Sequence, residues 1–200
     1  MTPFIEVVGA AIPLPMDDIN TDQIIPSQYL KDLHADLAEG FMAFHRRQPD
    51  GTVVADFVLE KPAFKAAPIL VVGKNFGCGS SREHAVWAMQ AYGIRCVIGH
   101  CLAEFFIENC FKNGVLPIEL DLEIHKSFMQ TVIRSDGMST VCIDLKRCLI
   151  RGPMQQDLLS FNIDPLRRQM LLEGLDDITI TLKHLQAIEN WERHYQTTLK

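Results

Sequence analysis

The clearest hydrophobic pattern in the chain is a strand-like run that gives way to a helical one. Residues 69–72, Ile-Leu-Val-Val, are uninterruptedly apolar and mostly β-branched, lie between Pro68 and Gly73, and predict a buried strand. Beyond them Ala85, Val86, Ala88, Met89 and Tyr92 recur at helical spacing, and Gly93 stands where a helix stops. Gly73, Gly77 and Gly79 fill the interval, allowing positive φ and close approach of the backbone to a ligand. The unit then repeats. Residues 94–99 predict a second buried strand, 102–112 a helix stopped by Asn113-Gly114, and 115–120 a third strand.

Elsewhere the patterns are shorter. Residues 5–12 predict a strand, and the turn formers of 13–26 follow it, with Asp17, Asp18 and Asp22 suited to Asx turns. Leu30, Leu33, Leu37, Phe41 and Phe44 predict partly helical core within 27–47, and 53–59 reads as extended. Residues 129–134 and 140–145 predict strands across a hairpin turn at 135–138, and 146–151 extend that sheet. Asp164-Pro165 opens a helix that Gly174 closes; 178–182 reads as extended and 184–195 as an amphipathic helix. The expected architecture is one α/β domain over residues 1–200. It has a mixed sheet with a parallel centre, and a helical C-terminal extension from about 164 to 200.

Composition narrows the function classes. A net charge of −6 without a basic stripe argues against nucleic acid as a partner. No apolar run approaches the roughly 20 residues of a membrane span, and no basic stretch followed by an apolar core marks a signal peptide. A cytoplasmic protein is expected. The six cysteines, at 78, 96, 101, 110, 142 and 148, match neither zinc nor iron–sulfur spacing and read as free thiols.

The chemistry concentrates in residues 77–84, Gly-Cys-Gly-Ser-Ser-Arg-Glu-His. Ser80 is expected to cap the following helix, with Glu83 completing a capping box. The open N–H groups of a helix start, its dipole and the planar fork of Arg82 together form an anion site. Ser80 and Ser81 would stand beside that charge. Known phosphate loops fit poorly: no Lys-Ser pair follows Gly77, and Arg82 occupies the third glycine position of a dinucleotide fingerprint. A GxSxG elbow is absent, and a Cys78–His84 hydrolase pair has no evident orienting acid.

Gly-Lys-Asn-Phe-Gly-Cys-Gly-Ser-Ser-Arg-Glu-His-Ala at 73–85 resembles the signature of the swivel domain of the aconitase superfamily. Asn20-Thr-Asp-Gln-Ile-Ile-Pro26 and Asn109-Cys-Phe-Lys-Asn-Gly-Val-Leu-Pro117 resemble its two companion motifs. The tail, Asp164-Pro-Leu-Arg-Arg and residues 172–182, is similar to the separate small subunits of 3-isopropylmalate dehydratases. The resemblance implies a swivelling β/β/α fold with no cofactor of its own. It also implies a partner large subunit holding a [4Fe–4S] cluster, and hydro-lyase chemistry on a small dicarboxylic 2-hydroxy acid in leucine biosynthesis. By that resemblance Ser80 is the base, Arg82 fixes the substrate carboxylate and Asp22 faces the site. Cys78, Gly79 and Ser81 lie against the substrate, and Lys31, in Tyr29-Leu30-Lys31, helps read its side group.

Two positions depart from the family pattern. Cys101-Leu102 stands where Ser-Phe is common, and Cys78 occupies a position that is commonly acidic in aconitases proper. Two other readings stay open on the residues: a related subunit for citramalate or dimethylmalate, and a carboxylate-binding module without chemistry.

Overall fold

The computed structural model describes residues 1–31, 35–152 and 158–198. Strands β1 (Glu6–Gly9) and β2 (Ala11–Leu14) are followed by three one-turn helices, α1 (Thr21–Ile24), α2 (Leu37–Gly40) and α3 (Ala43–Arg46). Next come β3 (Ile69–Val72), α4 (His84–Tyr92), β4 (Cys96–Gly99), α5 (Glu104–Lys112) and β5 (Leu116–Glu119). The chain continues through α6 (Leu122–Ser135), β6 (Val141–Asp144), β7 (Leu149–Arg151) and β8 (Leu158–Ser160). Helices α7 (Pro165–Glu173), α8 (Asp177–Leu182) and α9 (Leu185–Thr198) close it.

The β/β/α class expected from the sequence holds, with parallel and antiparallel strands sorted into two sheets instead of one. Strands β2-β3-β4-β5 form a parallel sheet, and β1-β6-β7-β8 an antiparallel one. Only Ala10 separates β1 from β2, so the single run expected over 5–12 is divided between the two sheets. Alternation along the parallel strands explains the layering. Leu70, Val72 and Val97 face one core, shared with Ala85, Met89 and Phe106 of α4 and α5. Ile69, Val71 and Ile98 face the other, shared with Phe128 of α6, Val141 and Ile143 of β6 and Leu171 of α7. The parallel sheet is therefore covered on both sides.

Several local expectations fail for identifiable reasons. Residues 129–134 belong to helix α6, because His125, Phe128, Met129 and Val132 bury one face at helical spacing. The expected hairpin turn at 135–138 is the end of that helix, where Asp136 adopts φ +42°. The alternation at 178–182 is helical too. Asp176 accepts the Thr179 N–H at 2.7 Å as an N-cap, and no strand pairs there among the described residues. In place of an extended 53–59 there is a bridge from Arg47 to Val53 and a 3₁₀ turn at Val58–Glu60. Phe41 is buried as expected, whereas Phe44 is exposed; Leu33 and His34 lie outside the described residues. Among the described residues no helix is long and apolar enough to cross a membrane.

Candidate active site

All four parallel strands end on the same edge of their sheet, the edge where open α/β sheets place their ligand crevices. The glycine loop leaves that edge after β3 and is laced to its neighbours on both sides. On one side Asp18 N–H donates to the Lys74 carbonyl at 2.9 Å, Gly77 N–H to Ile19 at 2.8 Å, and Thr21 N–H to Cys78 at 2.9 Å. Two aspartates reinforce the seam: Asp17 accepts the Lys74 N–H at 2.7 Å, and Asp18 accepts Asn75 Nδ2 at 2.8 Å. On the other side Asn75 N–H donates to Cys101 at 2.9 Å, and Ala103 N–H to Phe76 at 3.1 Å.

Glycine is required at one point of this lacing above all. Gly77 sits at φ +81°, and a Cβ there would lie 2.3 Å from Cγ of the Phe106 ring. Only a bare backbone passes that close to the core.

The lacing brings Asp22, Ser80 and Arg82 together although 58 to 60 residues separate the aspartate from the other two. Arg82 Nη1 donates to Asp22 Oδ1 in an ion pair. Ser80 Oγ accepts the Arg82 N–H at 3.3 Å and lies 3.3 Å from Thr21 Oγ1. Thr21 is itself buried, at 2% exposure, and its hydroxyl meets that of Ser80. Ser80 and Ser81 are exposed. Four cavities of about 250 to 410 Å³ among the described residues are lined by other side chains, while Ser80 and Ser81 lie on an open face.

The expected cap is overturned. Helix α4 begins at His84 with Glu83 as its N-cap residue and without a side-chain cap bond. Asn113 Nδ2 holds the Glu83 carboxylate at 2.7 Å, which removes it from any capping box with Ser80. The box exists one motif earlier. Asn20 Oδ1 accepts the Gln23 N–H and Gln23 Oε1 accepts the Asn20 N–H, each at 2.9 Å. The donor placed on Ser80 Oγ is accordingly the Arg82 backbone N–H, while the Arg82 guanidinium faces Asp22.

The remaining candidates fall out unevenly. Gly79 is exposed at φ +93°, leaving the backbone beside Ser80 open. Cys78 contributes its carbonyl, which accepts the Thr21 N–H, while its half-buried thiol makes no bond among the described residues. Ser81 is anchored through its carbonyl, which accepts Asn109 Nδ2 at 2.9 Å. Lys31 ends the 3₁₀ turn Ser27–Leu30 with an exposed side chain and joins the group through no bond among the described residues. His84 packs its ring on Trp87, centroids 4.4 Å apart, and the Cys78–His84 pair does not form.

Three participants escaped the sequence reading: Thr21, Asn109 and Asn113. The two asparagines sit one turn apart at the end of α5, on one face, and grip residues 81 and 83 on either side of Arg82. Their i, i+4 spacing is the signal that points to a shared task.

Known proteins resemble this chain over most of its length. The family model described as the aconitase C-terminal domain matches residues 1–123. A 3-isopropylmalate dehydratase small subunit of Paramagnetospirillum magneticum is 45% identical over 199 residues, 99% of this chain and 98% of its own. One of Brucella abortus is 46% identical over 193 residues, covering 96% and 95%. The chain belongs to the 3-isopropylmalate dehydratase small-subunit family.

A solved 3-isopropylmalate dehydratase from Methanocaldococcus jannaschii shares the fold with a TM-score of 0.63 at 27% identity, covering 94% of this chain and 99% of that one. The [4Fe–4S] cluster that the aconitase relationship implies needs converging thiolate ligands. Among the described residues no three His, Cys, Asp or Glu side chains converge to hold a metal. Cys96 and Cys110 are shut in the core, where burial pushes their thiols up. Among the described residues the thiols do not form the converging set that an iron–sulfur cluster needs.

Proposed function

We propose that this chain is the small-subunit half of a 3-isopropylmalate dehydratase and supplies its base and its carboxylate clamp to a large subunit. The observation that carries the reading is the convergence of Ser80, Arg82 and Asp22 on an open face at the carboxyl edge of the parallel sheet. An exposed catalytic group suits a site closed by a second chain.

Ser80 is the base. Its oxygen, as the alkoxide, takes the proton from the carbon next to a substrate carboxylate and becomes the hydroxyl. The electron pair moves into the forming double bond as hydroxide leaves the neighbouring carbon, and on rehydration the hydroxyl returns the proton and regenerates the alkoxide. The alkoxide this requires is stabilised by the Arg82 N–H and by the Thr21 hydroxyl, both 3.3 Å away. Arg82 has five N–H donors in a rigid fork. Asp22 engages Nη1, which fixes the fork and leaves its other edge for the substrate carboxylate. Lewis acidity toward the departing hydroxyl would be supplied by the [4Fe–4S] cluster expected on the large subunit. Readdition of water with hydrogen and hydroxyl exchanged between the two carbons interconverts 2- and 3-isopropylmalate. Ser81 and Gly79 line the approach to the carboxylate. Cys78 and Lys31 would contact the substrate farther out.

Mixing the chain with a cluster-loaded large subunit and following ultraviolet absorbance of the unsaturated intermediate tests the assignment. The expected result is no turnover by the chain alone, turnover after mixing, and preference for isopropylmalate over citramalate and dimethylmalate. Arg82→Lys keeps the charge but loses the fork, and turnover of the complex is expected to fall about 10²-fold or more. Unchanged turnover by that variant would contradict the clamp.

A further inference from the structure

Two aromatic side chains stand exposed on the helices that grip the catalytic segment. Phe105, in the first turn of α5, is 64% exposed, and Trp87, on α4, is 37% exposed. The core contact of that turn is made by the neighbouring Phe106, which meets Phe76 edge-on at 5.3 Å. Apolar side chains scattered singly over a surface are ordinary. These two are not scattered.

Their placement follows from the bonds around Arg82. Phe105, Asn109 and Asn113 recur every four residues and form one stripe along α5 and its end. The segment 81–83 lies across that stripe, its Ser81 carbonyl on Asn109 and its Glu83 carboxylate on Asn113. Phe105 stands one turn beyond Asn109. At the other end Trp87 donates its indole N–H to Asn113 Oδ1 at 3.0 Å and packs on the His84 ring. Two exposed rings thus bracket the segment that carries Arg82. The helix bearing Phe105 also starts beside the glycine loop, because its N-cap residue Ala103 donates its N–H to the Phe76 carbonyl.

The one polar group of Trp87 is satisfied within the chain, so both rings offer hydrocarbon outward, and the complement of hydrocarbon is an apolar surface. Polar groups surround them: Glu104 and Glu108 flank Phe105 on its helix, and Ser80 and Ser81 are exposed. Aromatic anchors within a polar rim are the anatomy of a protein–protein interface.

We infer, on the reading of this chain as a small subunit, that Phe105 and Trp87 are the apolar anchors on which the large subunit docks over the Asp22–Ser80–Arg82 face. Proton transfer at an exposed serine needs bulk water kept out. The chain that closes the site must therefore seal against the surface continuous with it, and that surface carries these two rings. A second copy of this chain seated on the same rings would block entry of both the substrate and the large subunit.

The test measures the dissociation constant of the full chain for the cluster-loaded large subunit by isothermal titration, with the Tm of each variant recorded. Phe105→Asp is expected to weaken assembly about tenfold or more. Its Tm should stay near that of the unaltered chain, because an acidic residue suits the first turn of a helix. Phe105→Leu keeps hydrocarbon at the position and should bind within a few-fold of the unaltered chain. Trp87→Ala is expected to weaken assembly, and Trp87→Phe to weaken it less. Ile178→Asp, on α8 at a position 72% exposed, is expected to assemble normally. Equal affinity of Phe105→Asp and the unaltered chain, or a loss confined to Ile178→Asp, would overturn the anchors while leaving the small-subunit reading intact. Failure of the unaltered chain to bind the large subunit would overturn that reading and the anchors with it. Self-association of the isolated chain that Phe105→Asp abolishes, with affinity for the large subunit unchanged, would assign the rings to a second copy and equally overturn the inference.

Discussion

The two sheets are equally wide and differently used. In the parallel sheet every residue of β3 and β4 is buried, with helices on one face and the antiparallel sheet and α6 on the other. In the antiparallel sheet β1 alternates between exposed and half-buried positions, and β6 between buried and half-buried ones. Asp22, Ser80 and Arg82 leave the carboxyl edge of the first sheet or the turns laced to it; none lies on the second. A sheet clamped on both faces fixes its strand ends, and loops springing from fixed ends can hold a hydroxyl and a guanidinium in register. The one-sided sheet serves as a cover. The C-terminal arm is the extreme of that contrast: α8 buries no residue, and Trp191 and Tyr195 of α9 stack on each other in solvent.

That contrast can be broken at three depths. Leu70→Ala, in the middle of β3, is expected to lose about 2–5 kcal/mol in denaturant unfolding, while the same change at exposed Val8 of β1 costs within about 0.5 kcal/mol. Similar losses at both positions would show that the parallel sheet is no stiffer a base. Asn109→Ala removes the donor to the Ser81 carbonyl and is expected to cost about 1–3 kcal/mol. It should also lower turnover of the assembled enzyme, because residues 81 and 83 flank Arg82; a stability loss with unchanged turnover would reduce Asn109 to a packing residue. Trp191→Ala is the smallest change, expected within about 0.5 kcal/mol in the isolated chain. A loss of several kcal/mol would mean that the arm packs more tightly than its exposure indicates.

The sequence disclosed the parallel half well, because its signals are physically unambiguous. Apolar β-branched runs bounded by glycine and proline can be little else than buried strands, and Gly93 and Asn113-Gly114 mark real helix ends. Arg82 and Ser80 stood out because serine and arginine beside three glycines are costly to explain by packing. What stayed hidden depends on partners distant in the chain. Ser-x-x-Glu at 80–83 has the form of a capping box, yet Asn113 claims the glutamate and the helix starts at His84. Val132 and Ile133 favour strand locally, and the burial of His125, Phe128 and Met129 against the sheet overrides them. Thr21 gains its role only once the loop after β3 is laid against α1.

The central claim is that the Ser80 hydroxyl performs the proton transfer. Its most direct test is Ser80→Ala in the assembled, cluster-loaded enzyme, measuring kcat, KM and Tm together. The account predicts a fall in kcat of at least about 10²–10³-fold, with KM and Tm near those of the unaltered protein. Turnover within a few-fold of normal would contradict it.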